Sequence, residues 1–472
     1  MRAEPTRLSR SLARFAGACS LCPALAIAST YPAQDMAYGG QPDGIVRVAF
    51  DLAGDDNDRA AAAVAVSADC VLLGGSVQVS TLPSSDFGFA QLDATGALDP
   101  AFGEANDGRA LAGMVPTASL QRIARTPDGH YLFLGKTSDT VAVIGRMDAS
   151  GALDTSFNGT GRRNLGAGFF VDAGTSLQMS GLVSLPDGKF LVSGYAGSAA
   201  TVCAAVGRFN ADGSTDTSFG GGLGRACESP LQQTTRAAGA FAIARTADGK
   251  ILLGGTAMHP GGSGFDMAVA RFSADGVLDT SFGPAHDGWA YVAFDRGGTL
   301  NDYVHALAVD PQGRIVLAGQ IDGASDYDIG VARLLSDGAI DTSFATNGTT
   351  AVDLDLGGYS GDAVHSMVLL PDRHILIGGY SQKNNTVGTA IEFKPDGTLD
   401  RAFGTNGIFL QADPDAEESA ILTSQSMVVS GDYMYMVGLI VNPVWLPNST
   451  RNYDFGVTRY ALPLFSDGFD SR

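Results

Sequence analysis

"ADGVLDTSFG" fills residues 274–283, and a near copy, "ADGSTDTSFG", fills 211–220. The pair belongs to a longer series. An aspartate followed three residues later by an aromatic recurs at Asp35, Asp99, Asp154, Asp216, Asp279, Asp341 and Asp400, at intervals of 55 to 64 residues. A period of this size marks a repeat array, and it governs how every other residue is read.

Each unit carries the same succession of runs. After the motif comes a short β-rich run such as "WAYVAFD" at 289–295, then two apolar runs joined by a turn, as in "ALAVDPQGRIVLAGQ" at 306–320. A last run follows, such as "DIGVARLLSDG" at 328–338. The turns read "TPDG" at 126–129, "LPDG" at 185–188 and "TADG" at 246–249. Proline presets φ for a turn and glycine supplies a positive φ, so the flanking runs are expected to form hairpins. No helical period is present. Four short strands per unit and seven units predict an all-β chain folded as a seven-bladed β-propeller of four-stranded blades. A lone sheet of runs such as "ILLGG" buries too little, so blades must stack on both faces. The 62 glycines among 472 residues, about twice the usual share, suit tight turns and close blade packing. An open solenoid is the alternative, but the terminal units carry no polar caps.

The "DG-x-LDTSFG" pattern, with its "DGKILLGG" hairpin at 248–255, resembles the delta-60 repeat, a β-propeller repeat of bacterial proteins. The resemblance covers about residues 35–460. It is weakest in the first and last units, where "SADCVLLGG" at 67–75 lacks the glycine turn and "SGDYMYMVG" at 430–438 lacks the proline. It implies the propeller fold and no known reaction.

The ends differ from the repeats. Arg2, Arg7, Arg10 and Arg14 precede or open the apolar stretch that exits through Ala26-Ile27-Ala28, which predicts a secretory signal peptide over residues 1–28. The stretch is too short to span a membrane. The propeller is then expected over 29–461, in a bacterial protein that is secreted, periplasmic or on the cell surface. The last segment, "LPLFSDGFDSR" at 462–472, reads either as a sorting signal or as a final edge strand that frays.

The formal charge is −20, and removing a signal with four arginines and one glutamate leaves about −23. That argues against nucleic acid, whose backbone demands basic patches. It permits calcium or cationic partners, and it favours a soluble monomer. Cys19 and Cys22 would leave with the signal, and Cys70, Cys203 and Cys227 would remain. Cys203 is assigned to the last strand of the third unit and Cys227 to the first strand of the fourth. An oxidising compartment permits a bridge between them.

Repetition also filters candidates for chemistry. Residues present in every unit serve the blade, so the motif aspartates and aromatics are read as structural. So are the third-strand arginines Arg146, Arg208, Arg271, Arg333 and Arg459, as partners of the aspartates. A site should show as broken symmetry. His305 in "NDYVHAL" and His365 in "GDAVHSM" hold one place in adjacent units, where Ala61 stands in another. Two histidines on neighbouring blades can bind a metal or move a proton. The bland reading is a tolerant strand-entry position. "GDDND" at 54–58 and "DGASDYD" at 322–328 cluster oxygens as calcium loops do, with Asp55, Asp56 and Asp58 the first choice of ligands. Solvated turns are the plainer reading. Trp445, in "VNPVWLPNST" at 441–450, offers a contact for sugar or protein. There is no His-Glu-x-x-His and no Gly-x-Ser-x-Gly motif, so no catalytic residue is assigned. The sequence favours a binding or interaction scaffold for a protein or polysaccharide partner. The alternative is a hydrolase or lyase acting on an extracellular polymer at the central channel.

Overall fold

The computed structural model describes residues 32–462, apart from 53–56, 80–83, 114–116, 139, 172–173, 175, 198–201, 230–238, 259–263, 295, 297–300, 324–325, 355–360, 383–385, 412–422 and 443–451. Within these residues the apolar runs form antiparallel strands, and the only helical turns are three short 3₁₀ segments. The strands build seven sheets in a ring, a seven-bladed β-propeller. Six blades are continuous in sequence, at 59–111, 119–166, 176–228, 239–292, 303–352 and 363–410. In blade 5 the strands Tyr303–Val309, Ile315–Asp322, Tyr327–Leu334 and Thr349–Val352 run outward in chain order. The first strand of each blade touches the first strands of both neighbours, so seven inner strands surround the axis.

The blades are out of phase with the units read from sequence. The Asp-x-x-aromatic motif lies between the third and fourth strands of a blade. "WAYV" at 289–292 is therefore the outer strand of blade 4 and does not start a new sheet. This corrects the placement of the cysteines. Cys203 and Cys227 lie on adjacent strands of blade 3, Val202–Phe209 and Arg225–Glu228, and form a disulfide with Cα atoms 5.5 Å apart. Cys70 is a half-buried free thiol.

The phase shift explains how the ring closes. Blade 7 takes three strands from the end of the chain, Thr423–Ser430, Tyr433–Asn442 and Asn452–Ala461, and its outer strands from the beginning. Ala33–Gln34 and Ile45–Val48 both pair with Asn452–Ala461, with Ala33 opposite Ala461 and Val46 opposite Val457. The first copy of the motif, Asp35 to Tyr38, thus completes the last blade.

Seven apolar clusters fill the seven interfaces, and each contains one motif aromatic. Phe282 packs among Leu252, Met267 and Val269 of blade 4 and Val304, Ile315 and Leu317 of blade 5. Tyr38 does the same between blades 7 and 1. All seven aromatics are fully buried. The turn glycine of the next blade closes over the ring. Gly338 has φ +93°, and a Cβ there would press on Phe282.

A polar staple covers five of the seven aromatics. Arg271 lies over Phe282 at 4.5 Å, its Nε donates to Asp279 Oδ2 at 2.9 Å, and its Nη1 donates to the carbonyl of Ser336 in the next blade at 2.5 Å. Arg146, Arg208 and Arg333 repeat the arrangement with Asp154, Asp216 and Asp341. Arg459 repeats it with Asp35, 424 residues away in the chain, and reaches Ala94 O of blade 1 at 2.7 Å. Burial raises the cost of charge on Asp279, but hydrogen bonds from Ser281 and Lys250 and the Arg271 charge outweigh it. Together they hold the carboxyl well below the usual range. Asp154, Asp216 and Asp341 are depressed for the same kind of reason.

Depressed folded-state values mean that this stabilisation is complete above the unfolded aspartate pKa of about 4. It is lost as pH falls below that value, because the unfolded chain then binds more protons. The staple's contribution should therefore make the melting temperature fall steeply as pH drops from about 4 toward about 2.5. A flat profile over that range would contradict the staple.

Candidate functional site

Every inner strand breaks its ladder once, at the same height. The register slips between Ala60 and Ala62, Leu120 and Arg122, Met179 and Gly181, and Ala240 and Ala242. It slips likewise between Val304 and Ala306, Val364 and Ser366, and Ser424 and Ser426. The extra residue is a β-bulge, which re-aims a side chain. The second strand makes room for it with a glycine. A Cβ on Gly319 would collide with the carbonyl oxygen of Tyr303, and one on Gly255 with that of Gly239. The recurrent glycine of "LLGG", "VLAG" and "LIGG" is thus the sequence trace of the bulge.

The bulged residues are Ala61, Gln121, Ser180, Phe241, His305, His365 and Gln425. They form a ring around the axis, and all but Gln121 line a central cavity of ≈ 210 Å³. In blade 2, Gln121 turns to Ser119, and its neighbour Arg122 lines the cavity instead. Arg122 Nη1 donates to the carbonyl of Gln121 at 2.8 Å. Among the described residues no carboxylate pairs with it.

The structure brings His305 and His365 to this one cavity. His305 Nε2 lies 3.0 Å from Gln320 Oε1, and Gln320 Nε2 donates to the Asp362 carbonyl at 3.0 Å. The His305 ring rests against Phe241 at 5.6 Å, and His365 rests against Tyr380 at 5.3 Å. His365 Nε2 is buried with no partner. Burial pushes the His365 imidazole down to about 4, with smaller contributions from His305 and Arg122. Burial also lowers His305. Both rings are therefore neutral near pH 7, and the permanent charge in the cavity is the Arg122 guanidinium. One cation, two neutral imidazoles, Gln425 and Ser426 line the cavity and suit a carboxylate or another small anionic group.

The other sequence candidates lie elsewhere. Asp58 is buried, and its carboxylate accepts from the amides of Phe50 at 2.9 Å and Gln78 at 3.2 Å, which ties blade 7 to blade 1. Asp302 holds the same place and accepts from Phe294 and Asp322. Asp55, Asp56 and Trp445 lie outside the described residues. In the loop at 322–328, Asp328 is raised by burial and by Asp353, with Arg296 at 3.5 Å from it.

Sequence reasoning missed Arg122. The residue after the bulge is small in six blades, namely Ala62, Gly181, Ala242, Ala306, Ser366 and Ser426, and arginine in the seventh. That exception is visible once the units are aligned on the bulge.

A family model described as a β-propeller domain of unknown function (DUF5122) matches residues 185–219, 246–282, 311–344 and 370–403. Each match runs from the first hairpin turn of a blade to its motif aromatic, and together they support a β-propeller repeat family. No curated protein matches the chain in sequence. Among solved structures, a protein of unknown function from Dyadobacter fermentans is similar at 12% identity and a TM-score of 0.40, covering 89% of this chain and 99% of that one. The polysaccharide lyase Uly1 is similar at 11% identity and 0.47, covering 88% and 91%. Sqt1 of Chaetomium thermophilum is similar at 12% and 0.44, covering 88% and 98%. Propellers host both enzymes and non-enzymes, so the fold leaves the activity open.

Proposed function

We propose that this is a secreted or surface-exposed bacterial propeller, built from delta-60-type repeats, that acts as a binding scaffold for an anionic ligand in its central cavity. One observation carries the reading. Arg122 is an arginine with no carboxylate partner among the described residues, in the cavity where the bulge ring breaks its symmetry, within a strongly acidic chain. Export rests on the residues 1–28 and is supported by the Cys203–Cys227 bridge, since disulfides persist in oxidising compartments. The segment 462–472 would then act in sorting.

The test is calorimetry with uronate-bearing oligosaccharides and acidic peptides against their neutral counterparts. Arg122→Ala should weaken binding of the anionic probe about 10- to 100-fold, the usual value of a hydrogen bond to a charged group. Binding of the anionic probe should also tighten as pH falls toward about 4, where His365 takes up its proton, because a bound anion favours the protonated form of His365 and His305. Equal binding by parent and variant would sink the proposal. A second reading, a polymer-cleaving lyase, is favoured by the unpartnered Nε2 of neutral His365, which could accept a proton beside a bound carboxylate. Its mark would be unsaturated uronide released from the polymer and lost in His365→Ala.

A further inference from the structure

Two blades lack the staple arginine: blade 1 carries the neutral Gln91, and blade 6 departs further. Where Arg146, Arg208, Arg271, Arg333 and Arg459 stand, blade 6 has Glu392, and a buried cation is thereby replaced by a buried anion. Its aspartate, Asp400, remains. Where blades 3 and 4 carry Lys189 and Lys250 against their aspartates, at 2.8 and 3.0 Å, blade 6 has His374. His374 Nδ1 lies 2.7 Å from Glu392 Oε1 and 3.4 Å from Asp400 Oδ2. The Glu392 side chain is 0% exposed, and those of His374 and Asp400 are 12% and 11% exposed. The second oxygen, Glu392 Oε2, is buried with no hydrogen-bond partner.

We infer that His374, Glu392 and Asp400 bind a divalent transition-metal ion, which stands in blade 6 where a guanidinium stands in five others. Three observations converge on this. One potential ligand atom from each residue falls within 4.8 Å of the others, close enough for a single ion to join them. A protonated histidine would leave the trio at net −1, whereas a divalent ion with neutral imidazole brings it to zero. An ion held by Glu392 through both oxygens also gives the empty Oε2 a partner, and buried carboxylate oxygens rarely go without one.

One imidazole and two carboxylates suit zinc or manganese better than calcium, which prefers an all-oxygen shell. Bonds of about 2.0–2.2 Å require the His374–Glu392 contact to open slightly, and a water can complete the shell. His374 and Asp400, being at the rim, give the ion its entry. The site is remote from the bulge ring, so it stiffens the seam beside blade 7 and does not depend on the ligand proposed for the cavity.

The experiment uses the full, untagged protein, dialysed free of metal and titrated with Zn²⁺. Bound zinc is counted by elemental analysis, and melting is followed in parallel. The parent should take up one zinc per chain and melt at a higher temperature with it. Glu392→Gln should lower the affinity about 100-fold. His374→Lys combined with Glu392→Arg rebuilds the trio of blades 3 and 4. It should fold, melt at least as high as the metal-free parent, and bind no zinc. No stoichiometric zinc on the parent, or equal uptake by parent and rebuilt variant, would overturn the assignment.

Discussion

Removing residues 1–48 should prevent the ring from closing. The deletion takes away Tyr38, Val46 and Val48, all buried between blades 7 and 1, together with the outer strands of blade 7. It also strands Arg459, whose Nη2 binds Asp35 Oδ2 at 2.5 Å and whose guanidinium lies over Tyr38 at 4.2 Å. Each apolar side chain is worth about 1.5–3 kcal/mol, and a buried cation left without its partner costs about 3–5 kcal/mol. That is comparable to the 5–15 kcal/mol that keeps a typical domain folded. The truncated chain should aggregate or show no cooperative melt by circular dichroism. A permuted chain, beginning at residue 57 and carrying 32–52 after Leu462 through a short glycine-serine linker, should restore the parent melt, because Ala33 already pairs with Ala461. A truncated protein that melts within a few degrees of the full chain would show that closure does not need this segment.

The second large effect is expected at Arg333. Its side chain is 4% exposed, pairs with Asp341 at 2.7 Å, and donates to Pro395 O of blade 6 at 2.5 Å. It also lies over Phe344 at 4.6 Å. Arg333→Ala leaves Asp341 buried and uncompensated and uncovers an aromatic, so it should cost about 3–5 kcal/mol in urea or thermal unfolding. Blade 1 supplies the control. Gln91 stands there in place of arginine and donates from Nε2 to Asp99 Oδ2 at 2.8 Å. Arg333→Gln should therefore lose clearly less than Arg333→Ala. Equal losses would mean that the interblade carbonyl and the ring, and not the aspartate, carry the contribution.

Much of this architecture was legible because each interface takes one aspartate and one aromatic, and six of the seven add a turn glycine against the ring among the described residues. The phase of the repeat was not legible. Asp35 reads as the head of a first unit, yet the antiparallel pairing of Ala33–Gln34 and Ile45–Val48 places it in the last blade. Only a contact between chain ends reveals that. The candidate site was half visible. His305 and His365 stand out as a pair, but alternation along a strand assigns Arg122 to the other face, and the bulge cancels that alternation by inserting one residue. Glu392 was open to view as a break in the series of third-strand arginines. Its meaning depends on His374 and Asp400, which neighbouring segments of the blade bring to it.

The bulge at the same height in all seven inner strands separates two kinds of position. The staples and aromatics admit few residue types, since each fills an interface. The bulged residue meets no such demand, and the same backbone accommodates alanine, serine, glutamine, phenylalanine and histidine around one ring. Seven addresses are therefore open to substitution without touching what holds the blades together. A change of ligand would require rewriting a short combination of side chains, with the frame that presents them left as it is.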